Sequence, residues 1–430
     1  MLHRRELIGI AARAGASLAL APKLLRALQQ PGGELIQRAI PSSGEMLPVI
    51  GLGFANHPSC ADPAALKQVL RTFFDNGGRV FDTLQASAAS EQFHATVANE
   101  LGIQDELFLG LQGLPASGGA PQPKEPDPAI EEAQLESLLA RFKVTRLDLV
   151  HLPLTADPGY WGVLKEAKKE GRIRYIGASG PSFAPFPQFE AIMRNEPIDF
   201  ISVDYSVEGR GAEEAILPLA LERKIGVMAH FPFGGAGGLS CTGDAGLFGR
   251  VGTTPLPDWA AEFDATTWAQ FFLKYVVSHP AITVVRAGTT KAHHMLENIG
   301  GGIGRLPDEA TRRRMVELVD SWPWARRAAG SPPHVPKASA VTLPAAILDR
   351  YVGEYTTASG VTMSFRRDGT TLFAKPASNP EAPLAASSET RFSDPRGPFI
   401  EFQLDRDGKV TGLVLEQGNP TQKIPASRIR

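Results

Sequence analysis

Short, uniformly apolar runs alternate along this chain with longer stretches whose apolar residues recur every three or four positions. The runs fall at 49–53, 79–83, 107–112, 147–152, 173–179, 200–206, 226–231 and 283–288. Most are apolar on both faces, as strands of a parallel sheet covered on each side must be. Between them, 63–76, 91–101, 130–142, 160–170, 187–195, 212–223 and 268–278 carry the period of amphipathic helices, and 308–319 predicts one more. Eight such alternations predict an α/β fold, a closed (β/α)8 TIM barrel over 34–329, with its working face at the C-terminal ends of the strands. A doubly wound open sheet is the alternative, but no Gly-x-Gly-x-x-Gly follows the first strand. Ahead of the barrel, 36–40 and 46–50 flank Pro41-Ser42-Ser43-Gly44-Glu45, which predicts a β-hairpin suited to plugging the barrel floor.

Two Gly-rich segments, 115–128 and 233–266, predict long loops, either lids and substrate walls or surface insertions. Residues 330–344 read as a linker around Ser331-Pro332-Pro333-His334-Val335-Pro336. Beyond it the apolar period falls to two, at 361–366, 371–375, 399–404 and 410–415, with hairpin turns at Asp368-Gly369 and Asp407-Gly408. This predicts a separate small antiparallel β domain over 345–430.

At 430 residues the chain is too long for one ordinary core, in keeping with two domains. A net charge of −2, with no basic cluster, argues against a nucleic-acid partner. No apolar run is long enough to span a bilayer. Two cysteines, Cys60 and Cys241, leave no disulfide scaffold or cysteine-rich metal centre, and no metal site is expected. The segment 1–33 contains His3-Arg4-Arg5-Glu6-Leu7-Ile8-Gly9 and then a mildly apolar stretch ending in Ala19-Leu20-Ala21. It resembles a twin-arginine export signal, which implies the bacterial periplasm. Arg13 interrupts the apolar stretch, and an N-terminal amphipathic helix with basic residues on its wet face is the other reading. In an oxidising compartment a Cys60–Cys241 bridge becomes conceivable.

Polar residues at the C-terminal ends of barrel strands are the candidates for chemistry: Asp82, Gln112, His151, Ser179, Asp204, Tyr205, His230 and Arg286. Each alone reads as a satisfied polar residue beside a loop. Together they line a mouth that would hold a small molecule.

Four stretches then resemble the aldo-keto reductases: Val49-Ile50-Gly51-Leu52-Gly53, Val80-Phe81-Asp82-Thr83, the segment 164–179 ending Glu170-Gly171-Arg172-Ile173-Arg174-Tyr175-Ile176-Gly177-Ala178-Ser179, and 288–298. The resemblance implies hydride transfer between NADP(H) and a small carbonyl or alcohol, with the cofactor extended over the barrel top. It places the adenosine phosphate at Gly288, Thr289, Thr290 and Lys291, followed by His294, Glu297 and Asn298. Hydroxyls, backbone N–H groups at a helix start and one cation suit a phosphate, although Lys291 also reads as a solvated surface lysine. Ser179 matches the serine that holds the nicotinamide carboxamide. Gly180 stands for the family's asparagine, Ser202 for its glutamine and His230 for the tyrosine that stacks on the ring.

The catalytic tetrad of that family is Asp, Tyr, Lys and His. Here Asp82 matches the aspartate, while the tyrosine falls on Ser87, the lysine on Gln112 and the histidine on Pro153, with His151 two residues earlier. A serine hydroxyl is far less acidic than a phenol. Three expectations follow: an NADP(H)-dependent oxidoreductase whose proton donor is reassigned to His151 or His230; a catalytically inactive barrel that binds NADP(H) or a small molecule as a sensor or carrier; or a lyase, isomerase or hydrolase that uses the same pocket without hydride transfer.

The stretches 348–355 and 405–413 resemble a lipocalin-like β domain appended to exported serine hydrolases of the β-lactamase type. Neither Ser-x-x-Lys nor Gly-x-Ser-x-Gly accompanies it as a nucleophile motif. The resemblance therefore implies only a fold and an exported setting.

Overall fold

A computed structural model describes residues 33–53, 63–83, 88–112, 127–154, 156–180, 186–234, 246–322, 341–357, 362–376, 381–393, 399–417 and 422–429. The export motif, Cys60, Cys241, Ser87, the Gly/Pro-rich segment 115–126 and most of the linker lie outside the described residues.

The chain enters through an antiparallel hairpin, β1 (Gln37–Ala39) and β2 (Met46–Pro48), with Arg38 opposite Leu47. Eight parallel strands follow: β3 (Ile50–Leu52), β4 (Val80–Asp82), β5 (Phe108–Gln112), β6 (Leu147–Pro153), β7 (Ile173–Ser179), β8 (Phe200–Asp204), β9 (Gly226–His230) and β10 (Ile282–Ala287). Each pairs with its neighbour in sequence, and β10 pairs with both β9 and β3, so the sheet closes. The closed barrel and all eight strand positions agree with the reading of the sequence.

The helices around it are α1 (Pro63–Asp75), α2 (Ala88–Leu101), α3 (Pro128–Phe142), α4 (Pro158–Lys169), α5 (Phe186–Asn195), α6 (Ile216–Arg223), α7 (Leu247–Val251), α8 (Trp268–Val277), α9 (Ala292–Gly300) and α10 (Glu309–Asp320). Side chains of Asp157, Thr267 and Asp308 cap α4, α8 and α10 by accepting from backbone N–H groups of the first turn. Two expectations are corrected. The helix expected over 212–223 is divided into a 3-10 turn, Gly211–Glu213, and α6. Pro218 lacks an N–H, so it is accommodated only in a helix's first turn. The expected loop 233–266 contains α7 and a 3-10 helix, Asp258–Phe263. There Arg250 is buried against Glu208 at 2.8 Å and donates to the Val319 and Trp322 carbonyls, a long-range tie with no local signal.

The hairpin does plug the floor. Ile40 and Leu47 pack with Val80, Phe108, Leu149, Tyr175, Phe200, Met228 and Val284 inside the barrel. Arg38 anchors it, donating to the carbonyls of Val277, His279 and Ile282, each at 2.7 Å.

The C-terminal part begins with a short helix, α11 (Ala345–Leu348), followed by β11 (Gly353–Thr357), β12 (Thr362–Asp368), β13 (Thr371–Pro376), β14 (Ala382–Ala386), β15 (Arg391–Ser393), β16 (Phe399–Leu404), β17 (Val410–Gln417) and β18 (Gln422–Arg428). These form a second closed barrel, antiparallel throughout, in which β11 pairs with β12 and β18. Four of the eight strands were legible as period-two runs. Gly369 and Gly408 have positive φ, as their turns require. The interior is filled by aromatic rings, with Tyr351 stacked on Phe402 at 4.2 Å and Tyr355, Phe365 and Phe392 around them.

Candidate active site

Strand side chains alternate between faces, so the residue two positions beyond each floor residue also points inward. Val80, Leu149, Phe200, Met228 and Val284 are thus followed by Asp82, His151, Ser202, His230 and Arg286. An apolar floor therefore gives way directly to a polar layer, in which Asp82, His151, Ser202 and His230 are buried and Arg286 nearly so. On β5 and β7 the corresponding positions are Gly110 and Gly177. A Cβ on Gly110 would fall 3.0 Å from Asp82 Cγ, and one on Gly177 would fall 2.4 Å from His151 Nδ1. The glycines make the room that the polar side chains occupy.

Within the layer, Arg286 Nη1 donates to Asp82 Oδ2 at 2.9 Å. His151 Nε2 lies 3.8 Å from the same oxygen, too far for a hydrogen bond. Asp82 Oδ1, both ring nitrogens of His151, Ser202 Oγ, His230 Nε2 and Arg286 Nε are buried without a hydrogen-bond partner among the described residues. Burial pushes the His151 pKa down to about 4; Asp82 opposes that shift and Arg286 adds to it. Burial, then Arg286, then His151 hold His230 well below the ordinary imidazole range. Both imidazoles are neutral at pH 7, each with one donor and one acceptor nitrogen.

Register places other candidates at the rim. Gln112 ends β5 opposite His151, Pro153 ends β6 opposite Ser179, and Ser179 lies opposite Ser202. A Cβ on Gly180 would come 2.5 Å from Leu154 and 2.8 Å from Phe189, so an asparagine does not fit there without a shift. Tyr205 corrects the list of mouth residues. It accepts from Arg312 at 2.7 Å and donates to Glu213, which places it outside the barrel, while Asp204 keeps the inward phase.

At the end of β10, Thr289 is buried, and its Oγ1 accepts from the backbone N–H of Lys291 at 3.1 Å. Its Oγ1 also lies 3.5 Å from His294 Nδ1. Lys291 is the N-cap of α9 and supplies no side-chain cap, so the first-turn N–H groups are left open beside an exposed ammonium. Glu297 and Asn298 follow on α9, Asn298 buried. An open helix start with one cation matches the needs of a phosphate. Ser202 Oγ and His230 Nε2, both unpartnered, match those of a nicotinamide amide. The residues present therefore fit a dinucleotide at both ends. The Asp82–Arg286 pair and the glycines beside the polar layer were not readable from sequence.

Comparison with known proteins agrees with this fold. Residues 49–313, more than half of the chain, match the model of the aldo/keto reductase family. The chain belongs to that family, whose members are NAD(P)-dependent oxidoreductases acting on small carbonyl substrates. Residues 337–425 match a domain of unknown function, DUF3471. A probable aldo-keto reductase 1 of Glycine max is 27% identical over 285 residues, covering 58% of this chain and 78% of that protein. The holo form of aldo-keto reductase AKR11C1 from Bacillus halodurans superposes with a TM-score of 0.53 at 19% identity, over 70% of this chain and all of that one, a likeness of fold. No helix among the described residues is long and apolar enough to cross a membrane.

Proposed function

We propose that the barrel is an NADP(H)-dependent oxidoreductase of small carbonyl compounds or alcohols whose proton donor differs from the family's tyrosine. The observation that carries this reading is the set of buried, unpartnered polar atoms on Asp82, His151, Ser202, His230 and Arg286, because buried polar groups are otherwise almost always paired. The bound cofactor would supply or accept a hydride. Thr289, Thr290 and Lys291 would hold its phosphate end with Gly288, His294, Glu297 and Asn298 around them, and Ser179, Ser202 and His230 its nicotinamide end. Asp82 is held by Arg286 beside His151, whose neutral imidazole donates one hydrogen bond toward a developing alkoxide. Ser87 and Gln112 complete the positions where the family keeps its tyrosine and lysine.

A fluorescence titration with NADPH tests the reading, and absence of binding at millimolar cofactor ends it. Replacing His151 and His230 together without any change in turnover would rule out a reassigned acid. The second reading is an inactive barrel that binds NADP(H) or a small molecule. It draws support from the depressed His151 pKa, which leaves no imidazolium at neutral pH. Binding without oxidation across a panel of carbonyl compounds would favour it.

We further propose export to the periplasm through the Arg4-Arg5 segment. The lipocalin-like resemblance of the C-terminal domain agrees with that setting. Cell fractionation tests it: Arg4→Lys with Arg5→Lys should retain the chain in the cytoplasm.

A further inference from the structure

The layer above the floor contains a cation whose hydrogen-bonding edge is half used. Arg286 commits Nη1 to Asp82 Oδ2, its side chain is 10% exposed, and its Nε is buried with no partner among the described residues. A guanidinium offers its side edge, through Nε and Nη2, as a fork that matches a carboxylate with two parallel bonds. Gly53, at the end of the first barrel strand, makes room for this side chain: a Cβ there would fall 3.0 Å from Arg286 Cβ and 3.1 Å from Nε. The buried Nε is left without a partner among the described residues even so, and buried polar groups are otherwise almost always paired.

We propose that Arg286 receives a carboxylate, so that the site takes 2-oxo acids or the matching 2-hydroxy acids. This rests on the oxidoreductase reading for turnover but not for binding. With the carboxylate on the side edge of Arg286, the adjoining C2 oxygen lies in the same polar layer as His151, which abuts the Asp82 oxygen that Arg286 holds. A 2-hydroxy group satisfies an acceptor such as Asp82 Oδ1, and a 2-oxo group accepts from an imidazole N–H, so either ligand completes atoms otherwise left unpaired. A simple ketone offers the Nε edge at most its one neutral carbonyl oxygen, without the charge or the second parallel bond of a carboxylate.

The charged and titratable groups facing the site are Asp82 and Arg286, which neutralise each other, the two imidazoles, and Asp204 two residues beyond Ser202 toward the mouth. A bound carboxylate leaves this set one charge more negative. It offsets the field of Arg286 that disfavours protonation of His151 and His230. Binding should therefore tighten as pH falls toward the range in which these imidazoles protonate.

The test is calorimetric titration of the full chain with pyruvate and with pyruvamide, each with and without NADP⁺. The expected result is that pyruvate binds roughly tenfold more tightly than its neutral amide. Gly53→Ala, whose Cβ would press on both Cβ and Nε of Arg286, should remove the preference, and Arg286→Lys should keep part of it. Equal affinity for the two probes, no pyruvate binding, or a preference that survives Gly53→Ala and Arg286→Gln would overturn the proposal. Should NADP⁺ bind while the two probes bind alike, the proposal alone falls. Should pyruvate bind selectively while NADP⁺ does not, the oxidoreductase reading alone falls.

Discussion

Arg286 Nη1 on the last barrel strand lies 2.9 Å from Asp82 Oδ2 on the second, although the two residues are 204 positions apart in sequence. The cation that faces Asp82 thus comes from the opposite end of the barrel sequence, joined to it by closure of the sheet.

That relationship predicts a non-additive mutant pair. Arg286→Met should leave a buried carboxylate without its cation and destabilise the fold by about 3–5 kcal/mol. Asp82→Asn in the same chain removes the stranded charge and should recover most of that loss. Urea unfolding of the two singles and the double measures it. Additive losses would mean that the pair is not an energetic unit.

The histidines predict acid sensitivity. The folded chain keeps His151 neutral down to about pH 4, because burial depresses its pKa. The unfolded chain protonates it below about 6.5. Between those values the unfolded state binds more protons, so stability is full above the upper limit and falls as pH drops through the window, by roughly 3 kcal/mol for this residue. His279, also lowered to about 4 chiefly by burial, acts in the same direction. His151→Gln should flatten the pH dependence of the melting temperature between pH 4 and 6.5, and an unchanged slope would contradict the assignment.

The eight barrel strands were legible because each is a short apolar run bounded by polar or glycine residues, and their order follows from the rule that βα units add side by side. The phase of the strands carried more than was read from it. Asp204 and Tyr205 sit next to each other and so cannot both face inward, a conclusion available from the two-residue period alone. The partner of Asp82 was not legible, since only closure of β10 onto β3 brings Arg286 near it. Gly53, Gly110 and Gly177 were equally silent: nothing local distinguishes a glycine that makes room for a neighbour's side chain from one that turns the chain. In the C-terminal barrel, β14 and β15 escaped notice because Ala382–Ala386 and Arg391–Ser393 are short and poor in β-branched residues.

The floor hairpin predicts a stability role remote from the chemistry. Ile40 is fully buried among the inward side chains at the base of the barrel. Ile40→Ala should cost about 2–5 kcal/mol through lost burial and the cavity left behind. NADPH binding to the folded fraction should be unchanged, since the floor lies below the polar layer. Thermal unfolding together with a cofactor titration well below the melting temperature checks both halves.

The helix start at α9 predicts how the cofactor's phosphate is recognised. Lys291 is exposed, and its ammonium has no partner among the described residues, so replacing it should leave stability nearly untouched. A phosphate at the open first turn would lose one charge-assisted bond on Lys291→Ala, which corresponds to roughly tenfold weaker NADPH binding. Lys291→Glu should weaken it further by placing like charges together. NADH has no adenosine 2′-phosphate, so its affinity should change much less, and the ratio of the two affinities becomes the diagnostic quantity. Equal losses for NADPH and NADH would place the 2′-phosphate elsewhere, and no loss for either would assign Lys291 to the solvated surface.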